Sequence, residues 1–165
     1  MILAVDVAYA ETKALSAGVT FTSWGDATPT GEFTTWVSPV APYVPGEFYR
    51  RELPCILALL PLLPASPELI IVDGYVHLGA ERRAGLGQHL YAALDGSVPV
   101  IGVAKKAFAG TPATTELYRG GSARPLYVTA VGLDGETAKG WIAAMHGNHR
   151  LPTLLKRVDQ LCRGR

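Results

Sequence analysis

Two cysteines stand in the whole chain, Cys55 and Cys162, and they lie too far apart to form a C-x-x-C pair. That scarcity excludes a disulfide scaffold, a zinc ribbon and a thioredoxin-like redox centre, and it predicts two reduced, partly buried thiols in a cytoplasmic protein. Long apolar runs are missing too. The longest, Cys55 to Ala65, is broken by Pro61 and Pro64, so no membrane span is expected. The amino end reaches Asp6 after only four apolar residues, which predicts no secretory leader. No G-x-S-x-G or H-E-x-x-H occurs, removing the usual serine-hydrolase and zincin signatures. No G-x-G-x-x-G follows the first strand, which counts against a dinucleotide site. Charged residues make up only 18%, but 48% of the chain is hydrophobic, so a disordered chain is excluded.

The 165 residues suffice for one domain with a substantial core, and a single domain over 1–165 is expected. Net charge is +1, which by itself names no polyanionic partner. Its distribution is uneven. Residues 1–100 hold five Lys/Arg against ten Asp/Glu, and residues 101–165 hold ten against four. A carboxylate-rich half beside a basic half suits a metal site next to a phosphate-binding surface; ordinary unevenness is the plain alternative.

Ile2–Val7 is a continuous β-prone run of the kind a central strand shows. Ala14–Trp24 and Gly31–Val37 follow across short polar turns, which predicts an antiparallel meander. Three prolines between Pro39 and Gly46 fix a rigid loop, and Glu47–Leu63 has helical apolar spacing, with Pro54 tolerable only near its first turn. Beyond Pro64–Pro67, Leu69–Val72, Ala84–Leu94 and Val98–Val103 read as a β-α-β unit with parallel strands and a right-handed crossover. Lys106–Arg124 is expected to be mostly loop. A last strand over Pro125–Val131 and helices over Gly135–Met145 and Pro152–Arg163 complete the chain. Three antiparallel strands leading into parallel ones predict an α/β fold with a ribonuclease H-like mixed sheet flanked by helices.

Asp6 and Asp73 each close an apolar strand, in I-L-A-V-D and L-I-I-V-D-G. If those strands are parallel neighbours, both carboxylates emerge at the carboxyl edge, where open α/β sheets hold ligands. Paired carboxylates repel, and a divalent cation neutralises both. Mg²⁺ asks for a few oxygen ligands plus water and substrate phosphate, so two to four acids suffice for phosphodiester chemistry. The bland alternative is that Asp-Gly simply opens a turn. Glu52, in Arg50-Arg51-Glu52, is either a third such acid or a solvated one favoured by a helix N-terminus.

Several segments, in order along nearly the whole chain, resemble the endonuclease V family. Y-V-P-G-E-F-Y-R-R-E-L-P (Tyr43–Pro54) is similar to its Y-[IV]-P-G-x-L-x-F-R-E-x-P segment. V-D-G-Y (Val72–Tyr75), R-R-A-G-L-G-Q-H-L (Arg82–Leu90) and P-V-I-G-V-A-K-K (Pro99–Lys106) resemble its D-G, R-x-x-G-[IL]-A-x-H-[LM] and P-x-I-G-V-A-K series. H-R-L-P-T-L-L-K-R-V-D-Q-L (His149–Leu161) resembles its closing R-[LI]-P-E-P-x-R-x-A-D-x-L helix, and V-D-V-A-Y its first acid-bearing strand.

The resemblance implies a Mg²⁺- or Mn²⁺-dependent endonuclease that cuts DNA or RNA near inosine, a monomer with no membrane partner. It implies metal-binding and catalytic roles for Asp6, Glu52 and Asp73, and a catalytic lysine at Lys105. Pro42, Tyr43, Val44 and Pro45 correspond to a wedge beside the lesion. Gly46, Phe48, Gly74 and Leu86 correspond to the pocket for a displaced deaminated base, which close fit can select because hypoxanthine lacks the exocyclic amine.

Two departures from the family pattern stand out. No His-Pro-Arg follows D-G; the chain reads D-G-Y-V-H-L-G-A-E-R-R, with His77 displaced. The family's G-H-R after the last strand is replaced by V-G-L-D-G-E-T-A (Val131–Ala138). Asp134 is the nearest group able to serve as a fourth metal ligand there, against the alternative of a helix cap. These losses keep open a second reading, a weakened or inactive nucleic-acid-binding or partner protein. His89 is expected to be structural, and His146 and His149 to flank a helix-ending turn at Gly147-Asn148. Trp24, Trp36 and Trp141 are expected in the core, whereas the proline-flanked Tyr43 is either exposed for stacking or buried.

Overall fold

The computed structural model describes residues 1–45 and 47–165, so Gly46, expected in the base pocket, lies outside the described residues. Six consecutive residues, Ile2–Val7, are buried, because this strand is covered on both faces. They form most of β1 (Ile2–Tyr9), which pairs antiparallel with β2 (Ala14–Phe21). β3 (Gly31–Val37) pairs antiparallel with β2 and alternates half-buried with exposed residues, as an edge strand does. Asp26 shapes the turn between β2 and β3 by accepting from the backbone N–H groups of Thr22 and Ser23.

Helix α1 (Phe48–Leu59) contains Pro54 in its interior rather than its first turn; the proline faces solvent there, on the side away from the sheet. A 3₁₀ turn, Leu60–Leu62, ends it. β4 (Leu69–Asp73) then runs parallel to β1, with Val5 opposite Val72. A small hairpin of β5 (His77–Leu78) and β6 (Arg83–Ala84) leads into α2 (Leu86–Ala93), and β7 (Val100–Ala104) lies parallel to β4. The β-α-β unit expected from the sequence is therefore present. After a 3₁₀ turn, Ala113–Thr115, come β8 (Glu116–Leu117) and β9 (Leu126–Val131), then α3 (Gly135–Ala144) and α4 (Thr153–Cys162). The strands form one mixed sheet in the order β3-β2-β1-β4-β7-β9-β8. β9 runs antiparallel to β7, with Val131 opposite Val100 and Tyr127 opposite Ala104.

Alternation along the strands sends side chains to two separate cores. Leu3, Val5, Val7, Ile70, Val72 and Val100 pack under α1 and α2. Ile2, Ala4, Ile71, Ile101, Val103 and Val128 pack under α3 and α4. Trp24 and Trp141 join this second core, stacked with ring centroids 5.1 Å apart. Trp36 departs from expectation: it is 58% exposed on the edge strand, with the Lys13 ammonium 4.3 Å above its ring.

Candidate functional site

The pairing of β1 with β4 stops at Val5–Val72, so Asp6 and Asp73 follow side by side where the two strands part. β1 itself continues to Tyr9 along β2, which places Asp6 inside the strand rather than at its end. Both acids fall on the face covered by α4, by the alternation that sends Ala4 and Ile71 there. That helix contributes the group the sequence reading missed. Asp159, with Cys162 one turn on, meets Asp6 from above, and the ligand atoms of Asp6, Asp159 and Cys162 lie within 4.8 Å of one another. The signal was present: Leu154, Leu155, Val158 and Cys162 form the buried stripe of α4, and Asp159 sits within it.

Glu52 arrives from the opposite layer, on α1, and is 2% exposed. It does not join the tight Asp6–Asp159–Cys162 group, but its carboxyl lies in the field of Asp6 and Asp73. One of its oxygens, Oε2, is buried without a hydrogen-bond partner. Lys105, just past β7, stands 3.7 Å from Asp73 and 3.8 Å from Asp159. A small cavity lined by Asp6, Asp73, Lys105 and apolar residues of β4, β7 and α4 marks the point of convergence.

Crowding of acids sets the electrostatics. Burial, then the Asp73 charge, lifts Asp6 from 3.8 to about 7, despite the hydrogen bond that Val7 N–H donates to it. Burial also raises Asp73, against the pull of Lys105. Glu52 is raised well above the ordinary carboxyl range by burial and by the Asp6 and Asp73 charges. Asp159 goes the other way: burial opposes its charge, but the hydrogen bond from Arg163 and the nearby Lys105 hold it below the usual value. Burial and crowding thus favour the neutral form of Asp6, Asp73 and Glu52, and the cations beside Asp159 favour its charged form. A divalent cation would neutralise these crowded acids, so this donor set fits a hard, oxygen-preferring ion.

Two arginines fix α4 over the sheet. Arg119, 8% exposed, donates to the carbonyls of Met145, Gly147, His149 and Arg150 in the loop between α3 and α4. Arg150 donates to the carbonyls of Lys105, Arg124 and Pro125, tying that loop to the end of β7.

Asp134 does not join the acids. Because β9 returns antiparallel, its carboxyl end lies at the amino end of β7, so Asp134 emerges at the sheet edge opposite Asp6 and Asp73. There it caps α3, accepting from Thr137 N–H at 3.1 Å and from the Thr137 hydroxyl. Asp159, from α4, lies beside Asp6 where Asp134 does not.

Tyr43 is 59% exposed on the Pro42–Pro45 loop, and Val44 is exposed beside it. Phe48 is exposed at the start of α1. Gly74 has a φ of +143° and open space where a side chain would point, leaving its backbone approachable, while its N–H donates to the Val103 carbonyl. Gly102 makes that crossing possible, since a Cβ there would lie 2.5 Å from the Gly74 carbonyl oxygen. Leu86 is buried among the α1–α2 core residues, so it backs this region from within. From the hairpin, His77 bonds Gln88 on α2 and its own neighbour Arg82, and His89 stacks on Tyr49 with centroids 3.6 Å apart, tying α2 to α1.

A mixed sheet of this order, with buried acids where β1 and β4 part and a further acid on the closing helix, defines a ribonuclease H-like nuclease scaffold. The family model described as Endonuclease V matches residues 1–150. The chain belongs to the endonuclease V family, which are nucleases. Endonuclease V of Streptomyces coelicolor is 34% identical over 182 residues, spanning 96% of this chain and 76% of its own. The crystal structure of endonuclease V from Streptomyces avermitilis is 32% identical with a TM-score of 0.78, covering 99% of this chain and 79% of that one. The fold is also shared with Ciona intestinalis endonuclease V, solved with a 24mer DNA containing an inosine followed by a ribo-adenosine, at a TM-score of 0.80 and 22% identity, covering 99% of this chain and 84% of that one. Asp159 and Cys162 lie beyond the residues that the family model matches.

Proposed function

We propose that this protein is a metal-dependent endonuclease that cuts a phosphodiester near a deaminated base, inosine, in DNA or RNA. The observation that carries the reading is the group of buried acids at the parting of β1 and β4, flanked by Lys105, in a chain of the endonuclease V family. In this reading Asp6, Asp73 and Asp159 hold Mg²⁺ or Mn²⁺, with Glu52 reaching the site from α1. A bound cation supplies Lewis acidity toward a phosphodiester oxygen.

The chain's own groups do the rest. The Lys105 ammonium, partly exposed between Asp73 and Asp159, offers a positive charge to the phosphate. Glu52, outside the tight ligand group and with Oε2 free of a partner, would take the proton from an incoming water. Tyr43, held on the proline loop, stacks on a base and helps keep the strand open, and Phe48 and the bare Gly74 backbone face the displaced base. The reading takes the protein as a cytoplasmic monomer; its two free, buried thiols support a reducing compartment. No helix among the described residues is long and apolar enough to cross a membrane.

A second reading, a weakened nucleic-acid-binding protein, draws on the His77 region, where Gln88 and Arg82 engage the ring in place of a His-Pro-Arg segment. One experiment separates them. Purified protein with Mg²⁺ or Mn²⁺ is given matched strands with and without a single inosine. The endonuclease cuts the inosine strand at one position and leaves the control intact. Binding of both strands with cleavage of neither would establish the second reading.

A further inference from the structure

Cys162 is out of place if it only fills space. The buried stripe of α4 is otherwise leucine and valine, yet the sulfur faces carboxylates: it lies within 4.8 Å of ligand atoms of both Asp6 and Asp159. Cys55, the other free thiol, is wholly buried in the opposite core under α1. A second, independent observation marks the place as made for a ligand: Glu52, 2% exposed and lying in the field of Asp6, keeps Oε2 without a partner. Two carboxylates and a thiol at ligand spacing are a donor set that oxygen-preferring Mg²⁺ uses only in part, whereas softer ions use all of it.

We infer that Cys162 turns the acid cluster into a mixed carboxylate–thiolate site, in which Asp6, Asp159 and Cys162 together take one thiophilic divalent cation of the zinc class. Binding replaces the S–H bond with a sulfur–metal bond and releases the thiol proton to the buffer, so no oxidant or reductant is involved. Because Asp6 and Asp159 serve both kinds of ion, a thiophilic cation and Mg²⁺ exclude each other, and the site becomes sensitive to trace zinc. The inference rests on the acid cluster being a cation site, as proposed above.

The test needs no nucleic acid. Cd²⁺ is titrated into the reduced, metal-free full chain while the ultraviolet thiolate-to-cadmium charge-transfer absorption is followed. The expected result is a band that saturates at one Cd²⁺ per chain, disappears in Cys162→Ser and persists in Cys55→Ser. Asp159→Asn keeps the thiol and should weaken Cd²⁺ binding by about tenfold or more, at least the loss that removing an outer-shell partner brings. This variant carries the test if Cys162→Ser does not fold. No band in the wild type, or a band of unchanged affinity in Asp159→Asn, overturns the inference. Failure of the inosine assay with a normal Cd²⁺ band removes the nuclease reading and leaves this one standing; cleavage without a band does the reverse.

Discussion

With Asp6 lifted from 3.8 to about 7, the metal-free folded protein carries a proton there that the unfolded chain gives up. The sign follows from linkage: where the native state binds more protons than the unfolded one, stability falls as pH rises. In chelator, the melting temperature should therefore decline between pH 3.8 and about 7, and Asp6→Asn should flatten that decline. Mg²⁺ added at neutral pH should raise the melting temperature of the wild type and leave the Asn variant nearly unmoved. A wild-type melting curve that is level across the window removes the account. Tyr43 gives a residue-scale prediction of another kind. Since it is exposed, Tyr43→Ala should leave the melting curve in place and weaken binding to an inosine strand by about 1–3 kcal/mol, the size of a lost base stack. Individual residues were unevenly legible in the sequence. Asp6 and Asp73 could be read because each follows a buried apolar run, and the two runs pair in parallel up to the residue before each acid. Trp36 could not, since the pattern of an edge strand does not say which of its faces a helix covers.

At the scale of the element, the fate of Asp134 shows what a linear reading omits. The sequence marks where β9 ends but not which way it runs, and its direction decides to which sheet edge the next residues go. Antiparallel pairing with β7 sends Asp134 to the far edge, and α4 supplies Asp159 instead. Asp134→Ser should be nearly silent in cleavage and melting, because serine caps a helix as well as aspartate does; Asp134→Ala should lose about 1 kcal/mol of stability without changing metal dependence. Asp159→Asn should lower cleavage by more than about 100-fold, the upper end of what even an outer-shell change at a metal site costs, with nucleic-acid affinity largely kept. Cleavage against Mg²⁺ concentration for the three variants decides between the two acids. The helices themselves were legible to within a few residues, since their apolar spacing reports the face they bury. The direction of β9 rests on pairing between distant segments, which periodicity does not encode.

Across the whole molecule, the charge asymmetry of the sequence has a spatial counterpart: Asp73 on β4 meets Lys105, and Glu32 on β3 meets Arg157, both cations coming from the basic half. Replacing Lys105 with alanine should weaken binding to all strands alike and reduce the slope of log affinity against log salt by about 1, the signature of one lost phosphate contact. Arg119 has a structural role, bonding the loop between α3 and α4. Arg119→Met strips the donor from four carbonyls between α3 and α4 and should cost at least about 3 kcal/mol, the value of one strong bond to a charged group; denaturant melts measure it.

The arrangement also fixes when the centre can exist. Asp6 lies on β1 and Asp159 on α4, so their meeting closes a loop that takes in most of the elements between them. During synthesis the sheet can pair from β1 through β9 while α4 is still inside the ribosome, its apolar face bare and three acids left to repel one another. A cation that needs both ends cannot seed folding. If the acids hold a cation as proposed, it would act as a latch on α4 once that helix has docked: unfolding should slow in Mg²⁺, while the rate of folding stays as it was without the ion.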